Sequence, residues 1–192
     1  MRFTLSLIIF LLIYSNTEAQ NTETKWYSES NTNGIILQNS FPKGGLYEGS
    51  KKRYFNYSCL VFFSRVINQT KKPFELTVDF PADKIGIPNS PNTFVKLFLS
   101  SDKMTLEKQS LFNYGLTDFD SLDDSTIIQK TLEPNEEHLF YVVAVFYQTR
   151  NDSQNENRGG NRTELVLEGE NLFYRMLPQI ESMHCGKINF KD

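Results

Sequence analysis

Residues 54–68 read YFNYSCLVFFSRVIN and residues 74–80 read FELTVDF, and the way these two runs are read decides the fold. In the second run Phe74, Leu76, Val78 and Phe80 alternate with Glu75, Thr77 and Asp79, which specifies a half-buried strand that Pro81 closes. The first run is rich in aromatic and β-branched residues and long enough for a bent or bulged strand. Within it Phe55, Tyr57, Cys59, Val61 and Phe63 fall on one face, so Cys59 is expected to point into an apolar interior.

Outward from these runs the same grammar repeats. Leu139–Tyr147 is apolar on both alternating faces, the mark of a central strand covered on each side. Thr163–Leu167 and Leu172–Leu177 flank Glu168-Gly169-Glu170-Asn171, which reads as a hairpin turn. Gly34–Gln38, Thr93–Leu99, Ser125–Leu132 and a stretch near His184–Phe190 supply further strands, with a short one at Leu46–Tyr47 after the Pro and Gly residues at 42–45. Ser101–Ser110 is the best helical pattern, with Asp102 as its N-cap. Many short strands separated by turn signals, with little helix, predict an all-β chain: a single β-sandwich, immunoglobulin-like or related, with at most one short helix near 101–112.

Residues 65–78, RVINQTKKPFELTV, resemble the second-strand, turn and third-strand stretch of bacterial immunoglobulin-like domains, where an Asn-x-Thr turn followed by Pro joins two long strands. That resemblance implies a secreted sandwich of the same general kind.

The N-terminus predicts export. Arg2 precedes an apolar run from Leu5 to Tyr14, and the polar residues Ser15–Glu18 lead to Ala19, the layout of a cleavable secretory signal. The run is too short to span a bilayer, which takes about 20 apolar residues. The Ala19-Gln20 pair resembles the leader end of secreted Bacteroidota proteins. The expected organisation is a signal peptide over 1–19, an extended polar lead-in over 20–33 and one domain over 34–192, with the product periplasmic or extracellular and no transmembrane segment in the mature chain.

Composition narrows the chemistry. The net charge of −3 with a pI near 5.5 and scattered basic residues gives no electrostatic footprint for nucleic acid, and Lys51-Lys52-Arg53 reads as a solvated turn. Sixteen Phe and nine Tyr are read chiefly as core. Two cysteines, Cys59 and Cys185, in a chain bound for an oxidising compartment are expected to pair as a disulfide. The sequons at Asn56, Asn68, Asn151 and Asn161 are about as many as an Asn-, Ser- and Thr-rich chain produces by chance.

No zinc-protease, nucleophile-elbow or phosphate-loop motif occurs, and the two histidines are His138 and His184. On a strand His184 and Cys185 would face opposite ways and could not share a metal. Asp118, Asp120, Asp123 and Asp124 form a weak calcium candidate, but Leu122 and Asp123 break the EF-hand spacing, and a solvated acidic loop is the expectation. Glu168 and Glu170 have the spacing of a carboxylate pair on one strand face, yet Gly169 between them favours a turn. The polar segment Gln148–Arg162, with Arg150, Asn151, Asn155, Arg158 and Asn161, is the candidate binding loop. The chain is therefore expected to be a non-catalytic exported module, without cofactor, that binds a protein or glycan of the envelope or extracellular space. The alternatives are a carboxylate-based hydrolase acting on glycans and a small apolar ligand carrier.

Overall fold

The computed structural model describes residues 24–46, 58–88, 90–117, 119, 122, 127–148, 162–178 and 180–191. The leader, the Lys51–Arg53 cluster, the four aspartates at 118, 120, 123 and 124, and the loop residues Arg150, Asn151, Asn155, Arg158 and Asn161 lie outside the described residues.

The chain is all-β, with two antiparallel sheets. Sheet A contains β1 (Ser28–Thr32), β2 (Ile35–Asn39), β3 (Lys43–Leu46), β4 (Ser58–Asn68), β6 (Ile85–Ile87), β7 (Ser90–Leu99) and β9 (Glu137–Gln148). Its order is β1-β2-β4-β9-β7-β6, and β3 takes the other half of the β4 edge that β2 occupies. Sheet B contains β5 (Phe74–Asp79), β8 (Ile127–Leu132), β10 (Arg162–Glu168), β11 (Asn171–Leu177) and β12 (Ile180–Phe190), in the order β10-β11-β12-β5-β8.

Alternation along each strand explains the packing. Phe62 and Val66 on β4, and Phe140, Val142 and Ala144 on β9, join Phe74, Leu76 and Val78 of β5 and Tyr174 of β11 in one core shared by both sheets. The opposite face of sheet A is also covered. Val61 and Phe63 of β4 and Tyr141, Val143 and Val145 of β9 pack under Met104, Tyr114, Leu116 and Leu122 in a second cluster. β9, paired with β4 and β7 and buried on both faces, is thus the central strand that its unbroken apolar run predicted.

The segment that covers the outer face is not the expected helix. It makes two short 3₁₀ turns, Leu106–Ser110 and Phe112–Gly115, and Asp102 does not cap a helix there: its N–H donates to Ser100 Oγ at 3.0 Å. A ten-residue segment with serine at both ends cannot offset helix nucleation alone, so burial of Met104 and Tyr114 dictates its path instead. Asn113 and Tyr114 even take left-handed backbone, at φ 44° and 58°. Each such residue costs of order 1–2 kcal/mol. Here Tyr114 is held by donating to the Phe41 carbonyl, by an edge contact with Phe63 at 4.9 Å and by the Lys43 ammonium 3.8 Å from its ring centroid.

Residues 28–32, read as part of the polar lead-in, form the edge strand β1. Asn33 (φ 53°) and Gly34 (φ 85°) make the two-residue turn to β2, an Asn-Gly hairpin signal that the polarity of its surroundings hid. The Glu168–Asn171 turn is as expected, with Gly169 at φ 62°.

The expected Cys59–Cys185 bridge is absent. Both residues are buried, but Cys59 lies in the outer cluster and Cys185 in the core between the sheets, so the thickness of sheet A separates them. Sequence periodicity pointed Cys59 inward correctly, without saying on which side of the sheet. Cys185 occupies a bulge in β12 where the register against β11 shifts by a residue. Its neighbour Gly186 lies so close to β5 that a Cβ there would sit 2.1 Å from the Thr77 carbonyl oxygen. Burial pushes the Cys185 thiol up to about 12, leaving it protonated and unreactive at neutral pH.

Asn68 joins two turns at one end of the molecule. Its Nδ2 donates to the Lys72 and Leu132 carbonyls at 2.9 and 3.0 Å, and its Oδ1 accepts from the N–H and hydroxyl of Thr70. Its backbone bonds Asn135 and Glu136 in the β8–β9 turn. Both amide hydrogens of this sequon asparagine are thus engaged in a buried site.

Two predictions follow from this packing. Asn68→Ala is expected to lower the unfolding free energy by about 2–3 kcal/mol in urea titrations, since it strands buried carbonyls at both turns; a loss below about 0.5 kcal/mol would show that the turns hold without it. Peptide mapping without reduction should recover Cys59 and Cys185 as separate alkylated peptides once the protein is unfolded in the presence of iodoacetamide, and a linked peptide would contradict this packing.

Candidate functional site

The chain that leaves β7 at Leu99 crosses to the outer face, and its departure opens a groove of about 730 Å³. One wall is residues 100–107, another is the start of β8 at Ile127 and Ile128, and the floor is the first turnless stretch of β9, residues 137–140. Apolar lining comes from Met104, Leu106, Ile127, Ile128, Leu139 and Phe140, with Ile127 more than half exposed. Polar lining comes from Ser100, Asp102, Lys103, Glu107, Glu137 and His138.

His138 is half-buried and stacks on Phe140 with ring centroids 5.7 Å apart. Burial lowers its pKa, the Lys130 charge lowers it further and Glu136 opposes both. The imidazole is therefore neutral at pH 7, able to give one hydrogen bond and accept one. Glu137 at the rim accepts from the Arg65 guanidinium, whose Nη1 donates to Gln38 Oε1 at 3.1 Å, and Gln38 Nε2 donates to Glu29 at 2.6 Å. This cross-strand ladder runs from the β1 edge to the groove and fixes the Glu137 carboxylate.

Of the described residues singled out from the sequence, His138 lines the groove, while His184, Cys185 and Glu168 lie elsewhere. His184 is exposed on sheet B, against Phe173 at 5.6 Å, while Cys185 beside it points inward, as alternation required. Glu168 pairs with Arg175 in an exposed contact at the hairpin, which gives it a structural partner. Among the described residues no group of three or more His, Cys, Asp or Glu could hold a metal ion, and no helix is long and apolar enough to cross a membrane. What sequence reasoning missed is the meeting of Asp102, Glu107 and His138 around one opening. The adjacency of Glu137 and His138 at the start of the most apolar strand was a usable signal, but nothing in the sequence brought residues 100–107 to it.

Elsewhere, Phe112 (77% exposed), Leu111 and Phe41 are exposed apolar residues, and the Lys43 ammonium donates to the Gln109 and Leu111 carbonyls.

The sign of the His138 shift sets a pH dependence. A base whose folded pKa lies below its ordinary 6.5 takes up protons more readily when unfolded, so its contribution is present above pH 6.5 and is lost as pH falls through the folded value. Melting temperatures measured between pH 7.5 and 5 should fall for the parent protein, and fall less for His138→Gln. An equal fall in both would remove His138 from this role.

Comparison of the chain with protein-family models, with curated proteins and with solved structures finds no match.

Proposed function

We propose that the two sheets form a single β-sandwich, immunoglobulin-like in its general plan, and that the chain is an exported, non-catalytic module that binds a protein or glycan in the cell envelope or extracellular space. The observation that carries this reading is the contrast between a filled interior and an open groove. Phe62, Phe74, Phe80 and Tyr174 are fully buried and occupy the space between the sheets, where an apolar ligand carrier would need a cavity. The groove beside them mixes apolar walls with a few polar groups, the usual lining of a recognition site. Export rests on the leader at 1–19, and the polar loop with Arg150, Asn151, Asn155, Arg158 and Asn161 is a further contact surface in this reading.

A carboxylate-based hydrolase is the second reading, favoured by Asp102, Glu107 and His138 lining one groove. Against it, Glu137 is already held by Arg65.

The test is a paired screen. The chain recovered from the producing cell should begin at Gln20, retain members of a glycan or peptide array and leave a panel of glycosides and esters intact. Turnover abolished by Asp102→Asn or Glu107→Gln would replace the binding reading with the hydrolase.

A further inference from the structure

The floor of the groove is an unpaired strand edge in the middle of a sheet. Phe63 spends both backbone groups on Ser40: its carbonyl accepts from the Ser40 N–H and its N–H donates to Ser40 Oγ, each at 2.9 Å. Backbone groups alternate sides along an antiparallel strand, so Arg65 likewise faces β2, and the residues opposite Phe63 and Arg65 on β9, Tyr141 and Leu139, point theirs away from β4. On that far side β7 pairs with β9 only from Val142 onward, its last partner being Leu99. Leu139 therefore turns its N–H and C=O toward the lane that β7 has left, and no hydrogen bond among the described residues reaches either group. The lane opens into the groove, with Leu106 and Met104 on one side and Ile127 and Ile128 on the other.

We propose that this lane is a strand-addition site, in which an extended segment of a partner protein takes the place β7 vacates and pairs with Glu137–Tyr141 of β9. The inference rests on the binding-module reading and names the class of ligand for its groove. An extended peptide is the occupant because its backbone offers a donor and an acceptor at the repeat that a strand edge requires, which a sugar or an apolar small molecule does not. Alternate side chains of the guest would meet the apolar walls. The lining also carries Asp102, Glu107 and Glu137 against Lys103, and with Glu137 held by Arg65 the remaining carboxylates favour a guest with basic residues between its apolar ones. Sheet B is less inviting at its β8 edge, where Lys130 is paired to Glu136 and blunts further pairing.

The experiment titrates a synthetic peptide alternating valine and lysine into the chain recovered from the producing cell, and follows amide exchange by NMR. The Leu139 amide is expected to slow by about tenfold at saturation, as a newly hydrogen-bonded strand amide does. A peptide of the same length with proline at alternate positions, unable to donate there, should give no protection. Ile127→Lys, a change at an exposed position that the fold tolerates, should weaken the parent peptide by about tenfold through lost apolar contact and like-charge repulsion. Binding that leaves Leu139 exchange unchanged would overturn strand addition, as would protection confined to β8 or β10, and in both cases the binding-module reading would stand. Glycan binding at the groove with no response to the peptide would have the same meaning. Turnover dependent on Asp102 or Glu107 would instead remove the reading on which the inference is built.

Discussion

The structure depends on one constraint, that β9 is apolar on both faces and both must be covered. Sheet B covers one face, with Phe74, Leu76 and Val78 set against Phe140, Val142 and Ala144. Among the described residues no second sheet covers the other, so the chain after β7 is drawn across it and buries Met104, Tyr114 and Leu116 over Tyr141 and Val143. At roughly 25 cal/mol per Å² of apolar surface, covering several large side chains outweighs the few kcal/mol of left-handed backbone at Asn113 and Tyr114. The same crossing forces β7 to stop at Leu99. The groove beside Glu137–Tyr141 is thus a consequence of how the outer face is covered, and the site and the core share one cause.

Two asparagines then fix how the sheets meet. Asn39, buried at the end of β2, bonds both backbone groups of Leu165 on β10: its Nδ2 donates to the carbonyl at 2.9 Å and its Oδ1 accepts from the N–H at 3.1 Å. Ser64 Oγ donates to the same Oδ1 at 2.7 Å. A side-chain amide here imitates a strand rung between two different sheets, as Asn68 does between turns at its own end of the molecule. Buried amides satisfied this fully add little net energy each, yet any displaced register would leave them unsatisfied at a cost of about 1–3 kcal/mol per group. They specify the arrangement more than they stabilise it.

Much of this was legible in the sequence because period-2 alternation is a local signal. Phe74–Phe80, Leu139–Tyr147 and the Glu168–Asn171 hairpin read correctly from their own residues. Two of the failures are non-local. Alternation pointed Cys59 inward but could not say that sheet A lies between it and Cys185. The stretch over 101–110 reads as a helix capped by Asp102, when the burial of Met104 serves a surface that lies elsewhere in the chain. β1 was hidden because an edge strand with one solvated face, Ser28–Thr32, has too little apolar content to signal itself, and the Asn33-Gly34 turn was its only strong mark.

The candidate site was the least legible part for a deeper reason. Motif searches detect side chains whose chemistry needs a fixed spacing, such as metal ligands or a nucleophile with its base. A groove whose main recognition groups are the N–H and C=O of Leu139 has no such spacing, because every residue carries those groups and only the tertiary path of β7 determines which are left unpaired. Its walls are ordinary core residues at the point where the core meets water, and its carboxylates come from segments joined only in the fold. Replacing Leu106 or Ile127 by another aliphatic residue would leave such a site intact, so the side chains that form it are loosely constrained one by one. What is constrained is the position at which β7 ends, and that is set by the covering of β9, to which Met104, Tyr114 and Phe63 contribute at a distance from the opening they create.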